Sequence, residues 1–128
     1  RKNGSGSVFS ARMFSKLFGL FGGKPVRIPG TSKIGEGESR RVTIGDPLAD
    51  GIELIVGRIE GKLCALDRRC PHEGGRLVDG PLAEGRYMVC PLHNYRFDPK
   101  NGRAVGVVCS DAKTYRIREQ NGDADVWL

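Results

Sequence analysis

At 128 residues the chain has room for one domain with a modest core, and not for two. No stretch approaches eighteen consecutive apolar residues, which excludes a membrane-spanning helix within it. The net charge of +6 would point to nucleic acid or an anionic surface, but all of it is local. Six of the 21 basic residues and none of the 15 acidic ones fall in residues 1–27, so residues 28–128 are neutral, which argues against nucleic acid as a partner of the folded body.

In chain order, Arg1-Lys2-Asn3-Gly4-Ser5-Gly6-Ser7 reads as a flexible start without an initiator Met and carries no fold information. From Val8 to Phe21 the apolar residues Phe9, Met13, Phe14, Leu17, Phe18, Leu20 and Phe21 share one half of a helical wheel, with Arg12, Ser15, Lys16 and Gly19 opposite. Gly22-Gly23 and Pro25 then stop the helix. Four of the five phenylalanines lie in this short amphipathic N-terminal helix. It could pack on its own domain, insert into a groove on a partner protein, lie on a membrane surface, or be what is left of a targeting peptide. We therefore divide the chain into a basic, Phe-rich arm over 1–26 and a folded domain over 27–128.

From Val26 onward the sequence is strand-like. Arg40–Ile44 is a short alternating run, Ile52–Ile59 is rich in β-formers, and Glu60-Gly61-Lys62 turns it back into Leu63–Leu66 as a hairpin. Tyr87–Val89, Tyr95–Phe97, Ala104–Val108 and Thr114–Arg118 are further expected strands, and Val126-Trp127-Leu128 closes the chain after an Asn121-Gly122 reversal. Asp98-Pro99-Lys100-Asn101-Gly102 is a turn. Many short strands at close spacing indicate an all-β, antiparallel sandwich or barrel.

Two of these connections carry chemistry. One opens with Cys70-Pro71-His72 and the other with Cys90-Pro91-Leu92-His93, and together they hold both histidines of the chain and two of its four cysteines. Each offers one thiolate and one imidazole, a donor set suited to zinc or an iron–sulfur cluster and not to magnesium or calcium. A structural zinc site usually pairs like ligands, as C-x₂₋₄-C and H-x₃₋₅-H. Mixed pairs instead suit two irons, one taking both sulfurs and the other both nitrogens. Gly74-Gly75 allows close backbone approach and positive φ, and Pro71 and Pro91 stiffen the loops beside each cysteine.

The C-x-H and C-x-x-H pairs, with Glu73-Gly74-Gly75-Arg76-Leu77 after the first and Asn94-Tyr95-Arg96-Phe97-Asp98 after the second, resemble the Rieske family. That resemblance covers roughly residues 27–128. It implies a β base carrying a small cluster-binding subdomain, and one 2Fe-2S cluster per chain held by Cys70, His72, Cys90 and His93. It also implies one-electron transfer through the exposed His72 and His93 end to redox partner proteins. High-potential members of the cytochrome bc complexes carry a further cysteine in each loop, joined as a disulfide; the matching positions here are Gly75 and Leu92. Their Ser and Tyr donors to the cluster correspond to Tyr95 and Phe97, so we expect a potential toward the lower end of the roughly −150 to +300 mV Rieske range.

Cys90–Tyr95 and the Cys109–Tyr115 stretch look similar to the small subunit of assimilatory nitrite reductase, whereas Phe97-Asp98 with Asn101-Gly102 looks like dioxygenase ferredoxins. With only two histidines, the chain lacks a mononuclear iron site and is not by itself a complete oxygenase, which leaves open that it is a domain of a larger redox protein. The expected function is a one-electron carrier between a reductase and a terminal oxidoreductase, with no substrate site of its own. The alternative is a structural zinc module that binds protein through its arm. Cys64 and Cys109 sit in apolar settings and read as buried and reduced, a disulfide between them being the alternative, which fits a cytoplasmic location, peripheral association with a membrane or complex being left open. Arg68, Arg69 and Arg76 flank the first loop and read as solvated charge or as a steering patch for an acidic partner, and Trp127 as core.

Overall fold

A computed structural model describes residues 24–128 apart from Pro47 and Glu73. The amphipathic helix expected over Val8–Phe21 lies outside the described residues. Ten strands form one continuous, wholly antiparallel sheet in the order β1-β10-β9-β4-β3-β2-β5-β6-β7-β8. They are β1 Pro25–Ile28, β2 Glu38–Ile44, β3 Ile52–Ile59, β4 Lys62–Asp67, β5 Val78–Ala83, β6 Tyr87–Cys90, β7 Tyr95–Phe97, β8 Ala104–Val105, β9 Thr114–Gln120 and β10 Asp123–Trp127. A single 3₁₀ turn at Thr31–Lys33 is the one helical element among the described residues. None of their helices is long and apolar enough to cross a membrane.

The central strand β3 explains the two-part architecture. Side chains alternate across a strand, and both faces of this one are apolar. Leu54 and Val56 enter one core with Ile28, Ala65, Tyr115 and Val126, the core of the base. Ile55 and Ile59 point the other way, into a second core with Leu66, Leu77, Met88 and Phe97. That second core also contains Cys70 and Cys90, so the candidate ligands rest on the far face of the wall that closes the base. Leu54, Ile55, Val56 and Leu66 are fully buried, each contributing about 1.5–3 kcal/mol relative to exposure. Gly57 interrupts the apolar run because a Cβ there would stand only 3.1 Å from Met88 Cε of the packed β6.

The turns follow the sequence. Glu60-Gly61 and Asn121-Gly122 each place two successive residues at positive φ, the conformation of a tight hairpin turn. The structure departs from the expected pattern in places. The strand read as Ala104–Val108 is only Ala104–Val105, because Gly106 turns to φ +79° and leaves Val107 and Val108 in an exposed connection. β5 was not foreseen; it links β2 of the base to β6 through short pairings and a register shift. Cys64 and Cys109 are unpaired thiols and half-buried, less enclosed than expected. Trp127 is half-buried beneath the Arg116 guanidinium, 4.7 Å from its ring centroid.

Candidate metal centre

Each candidate ligand pair sits on a hairpin that puts its cysteine at the last rung and its histidine at the tip. The first loop leaves β4, is pinned by an isolated Arg69–Arg76 bridge, and closes with Cys70 N–H donating to Gly75 O at 2.9 Å. The second is the β6–β7 hairpin, whose last pair is Cys90 with Tyr95. Asn94 takes up the reversal at φ +56°, a left-handed conformation that Asn tolerates better than most residues. Cys70 and Cys90 are therefore buried, 5% and 2% exposed, while His72 is half-buried and His93 exposed. The imidazole rings face one another edge-on with centroids 4.9 Å apart. Sulfur donors lie inside and nitrogen donors outside.

Whether these residues fit a two-iron cluster is tested at Gly75. A Cβ there would collide with Cys90 Sγ and stand 3.3 Å from Leu92 Cβ, so the missing side chain leaves room beside the sulfur pair. Gly74 takes φ +71° with open space around it. The two glycines serve different ends, one close approach and the other backbone reversal. Gly75 and Leu92, which match the disulfide positions of the high-potential relatives, are neighbours. A donor set divided into a sulfur pair and a nitrogen pair fits two irons.

Burial above all, opposed by the His72 N–H 3.4 Å from Cys70 Sγ and joined by the neighbouring Cys90 and Cys109, leaves the Cys70 thiol raised to about 11. At neutral pH this thiol keeps its proton, so ligation of a cation there would release one.

Three supports around the ligands were not recognised from sequence. Asp67, 3% exposed, accepts from the Arg69 backbone N–H at 2.8 Å, from the Arg69 guanidinium and from the Tyr115 hydroxyl. Arg76 donates to the Gly74 and Gly75 carbonyls at 3.0 and 3.3 Å, bracing the loop that carries Cys70. Arg68 pairs with Glu53 at 2.9 Å. The arginines read as solvated charge or as a steering patch each hold a polar partner here, around a cleft of about 420 Å³ beside the first loop. The third support is Tyr95, stacked on His72 with centroids 4.4 Å apart and planes inclined by 25°. Its spacing from Cys90 could have flagged it, because a four-residue hairpin loop sets it directly opposite that ligand. Nothing in a single sequence pairs Asp67 with Tyr115.

Residues 24–116 match the protein family described as "Rieske [2Fe-2S] domain". The ferredoxin component of the naphthalene 1,2-dioxygenase system of Pseudomonas putida is 40% identical over 91 residues, covering 70% of this chain and 82% of its own length. Among solved structures, the complex of reduced oxygenase and oxidized ferredoxin in carbazole 1,9a-dioxygenase matches with a TM-score of 0.67 at 21% identity, over 80% of this chain and 92% of that one. A putative NADH-dependent nitrite reductase small subunit from Mycobacterium tuberculosis matches with a TM-score of 0.57 at 19% identity, over 80% and 94%. At those identities the two structures speak to the fold.

Proposed function

The chain belongs to the Rieske [2Fe-2S] domain family, and from that premise we propose that Cys70, His72, Cys90 and His93 hold its cluster while it carries single electrons between a reductase and a terminal oxygenase. It is an electron carrier of an oxidoreductase system, related to dioxygenase ferredoxin components, and it performs no bond chemistry on a substrate. The observation that carries the ligand assignment is the division of donors, two buried thiols inside and two facing imidazoles outside, with Gly75 leaving space between the loops.

When bound, the cluster supplies reversible one-electron chemistry. The chain's part is to place and bias it. Two neutral imidazoles in place of two thiolates leave the centre less negative and raise its potential above that of all-cysteine ferredoxins. Arg76 and the Cys70–Gly75 hydrogen bond hold the first loop, while β6 and β7 hold the second. His93 and the adjacent Leu92, 53% exposed, mark the surface at which redox partners would dock and electrons enter and leave.

In carbazole 1,9a-dioxygenase the ferredoxin forms a complex with the oxygenase, and an oxygenase component is the acceptor we assign here; 40% identity to a dioxygenase ferredoxin favours it over a nitrite reductase. The basic arm over 1–26 would add a second contact, to a partner protein in preference to a membrane surface, with 27–128 as the electron-carrying domain. Reduced Cys64 and Cys109 suit a cytoplasmic setting.

The deciding measurement is a visible and EPR spectrum, oxidised and after dithionite. A red-brown protein giving a rhombic reduced signal with a low average g value is the expected result. A colourless, EPR-silent protein containing one zinc would sink the assignment.

A further inference from the structure

Tyr95 lies on one ligand hairpin, yet its ring packs on the histidine of the other. It is the first residue of β7 and pairs with Cys90. Directly opposed residues of an antiparallel pair project to the same face. The strand register therefore delivers the Tyr95 ring to the face of the ligand sulfur, whatever the first loop does. His72 sits on a turn at the tip of that first loop, its N–H 3.4 Å from Cys70 Sγ and its carbonyl accepting from the Gly75 N–H at 3.5 Å. Its ring lies against Tyr95 at 4.4 Å and 25°, and against the edge of His93 at 4.9 Å and 72°. The Tyr95–His93 contact is looser, 6.0 Å and 51°. His72 is thus bracketed by two aromatic rings from the second hairpin, and the near-parallel one belongs to Tyr95.

We propose that Tyr95 is a positioning residue for His72, its strand-anchored ring fixing the plane of an imidazole presented by the other loop. Resting on the assignment of His72 as a ligand, it makes the second hairpin the template on which the first loop is read. A stacked ring resists rotation of the imidazole about its Cβ–Cγ bond, and that rotation decides which nitrogen, and which lone pair, points inward. Neighbours that orient a ligating histidine tune the metal it binds. The stack also covers one face of the ring at the surface where electrons pass.

Two measurements on the full chain separate this proposal from the ligand assignment. In the iron-free protein, stacking on Tyr95 should shift the His72 ring protons upfield by NMR, and Tyr95→Leu should abolish the shift while Tyr95→Phe keeps it. A wild-type His72 without a ring-current shift overturns the proposal, whether or not the variants fold or load. In the iron-loaded protein, pulsed EPR should resolve two histidine nitrogen couplings, of which Tyr95→Leu changes one. Absorbance should bleach about tenfold faster in iron chelator in that variant, with Tyr95→Phe behaving as wild type. Unchanged couplings and bleaching in Tyr95→Leu, or a Tyr95→Phe variant as impaired as Tyr95→Leu, overturn the proposal. A wild-type protein that takes up no cluster refutes the ligand assignment and leaves the NMR result standing.

Discussion

The Tyr115 hydroxyl of β9 donates to Asp67 Oδ2 at 2.9 Å, in a buried hydrogen bond that ties the base to the residue from which the first ligand loop departs. Asp67 also receives the Arg69 backbone N–H one residue before Cys70. Removing a donor from a buried acceptor leaves it under-satisfied, at a cost of about 1–3 kcal/mol. Tyr115→Phe should therefore lower stability by that amount in chemical denaturation of the loaded protein. It should also hasten cluster loss, because the slackened strand end feeds Cys70. An unchanged midpoint would show that Asp67 finds another donor.

The same carboxylate sets an acid limit. Burial alone would raise the Asp67 pKa, but hydrogen bonds from the Arg69 side chain and backbone and from Tyr115, with the Arg69 charge, outweigh it and hold the pKa below the usual carboxylate range. A pKa lower in the folded than in the unfolded state stabilises the fold above the unfolded value, about 3.9 for Asp, and that contribution is lost as pH falls through the folded value. Asp67→Asn should be less stable at pH 7. Its stability should also change less than that of wild type as pH falls below about 4, measured by urea unfolding at each pH. Parallel acid profiles would refute the link. On the alkaline side Tyr115, raised chiefly by burial to about 12, favours the fold below its unfolded value of about 10, a benefit lost as pH rises from there toward 12.

The two loop glycines should respond differently to the same change. At Gly74 an added Cβ meets nothing within 4 Å, but the backbone has φ +71°, so Gly74→Ala should cost about 1–2 kcal/mol in strain and still load iron. At Gly75 the Cβ would strike Cys90 Sγ. Gly75→Ala should fold, since its neighbours are loop and ligand atoms, but should hold little iron. Iron-to-protein ratios with circular dichroism check both, and equal loading would remove the steric account of Gly75.

Much of this was legible because the sequence states it locally. Ile52–Ile59 is a β-branched run between turn signals, and the observed β3 has those limits. The four candidate ligands stand out in the sequence by their spacing. The antiparallel base follows from short strands and tight Gly-containing turns. β5 was hidden because Val78-Asp79-Gly80-Pro81 contains two residues that weaken strands; it persists on two rungs with β2 and a shifted register with β6. The apolar run Ala104–Val108 promised more than it forms, since composition does not reveal where an edge strand loses its partner. Asp67 with Tyr115, 48 residues apart, and Tyr95 with His72, on separate hairpins, are products of strand register. Register between distant segments is not written in local pattern.

The chain should have a low potential for its family. Phe97, the position at which high-potential relatives place a tyrosine hydroxyl, is fully buried and has no polar atom to donate. The Tyr95 ring is turned onto His72, and Gly75 and Leu92 supply no disulfide. Fewer donors to the centre mean less stabilisation of its reduced, more negative state. A midpoint in the lower part of the roughly −150 to +300 mV range is expected by redox titration. A value near the top would mean that backbone N–H groups, such as that of His72 beside Cys70 Sγ, supply the donors the side chains lack.

The arm can be tested without disturbing the domain if the cut respects β1. Pro25 pairs with Trp127 and Val26 with Val126, so removing residues 1–23 spares a strand that a cut after Val26 would damage. The truncated protein should keep its spectrum, potential and melting temperature. Electron delivery to an oxygenase component should weaken, and more so at low than at high salt, because the lost contact is six basic residues less Lys24 and Arg27 and exposed charges are screened beyond about 10 Å at 0.1 M salt. Unchanged delivery at every salt concentration would assign the docking energy to the His72–His93 face alone. A truncated protein that melts earlier would instead make the Phe-rich segment part of the domain's own packing, and the division at residue 26 would have to move.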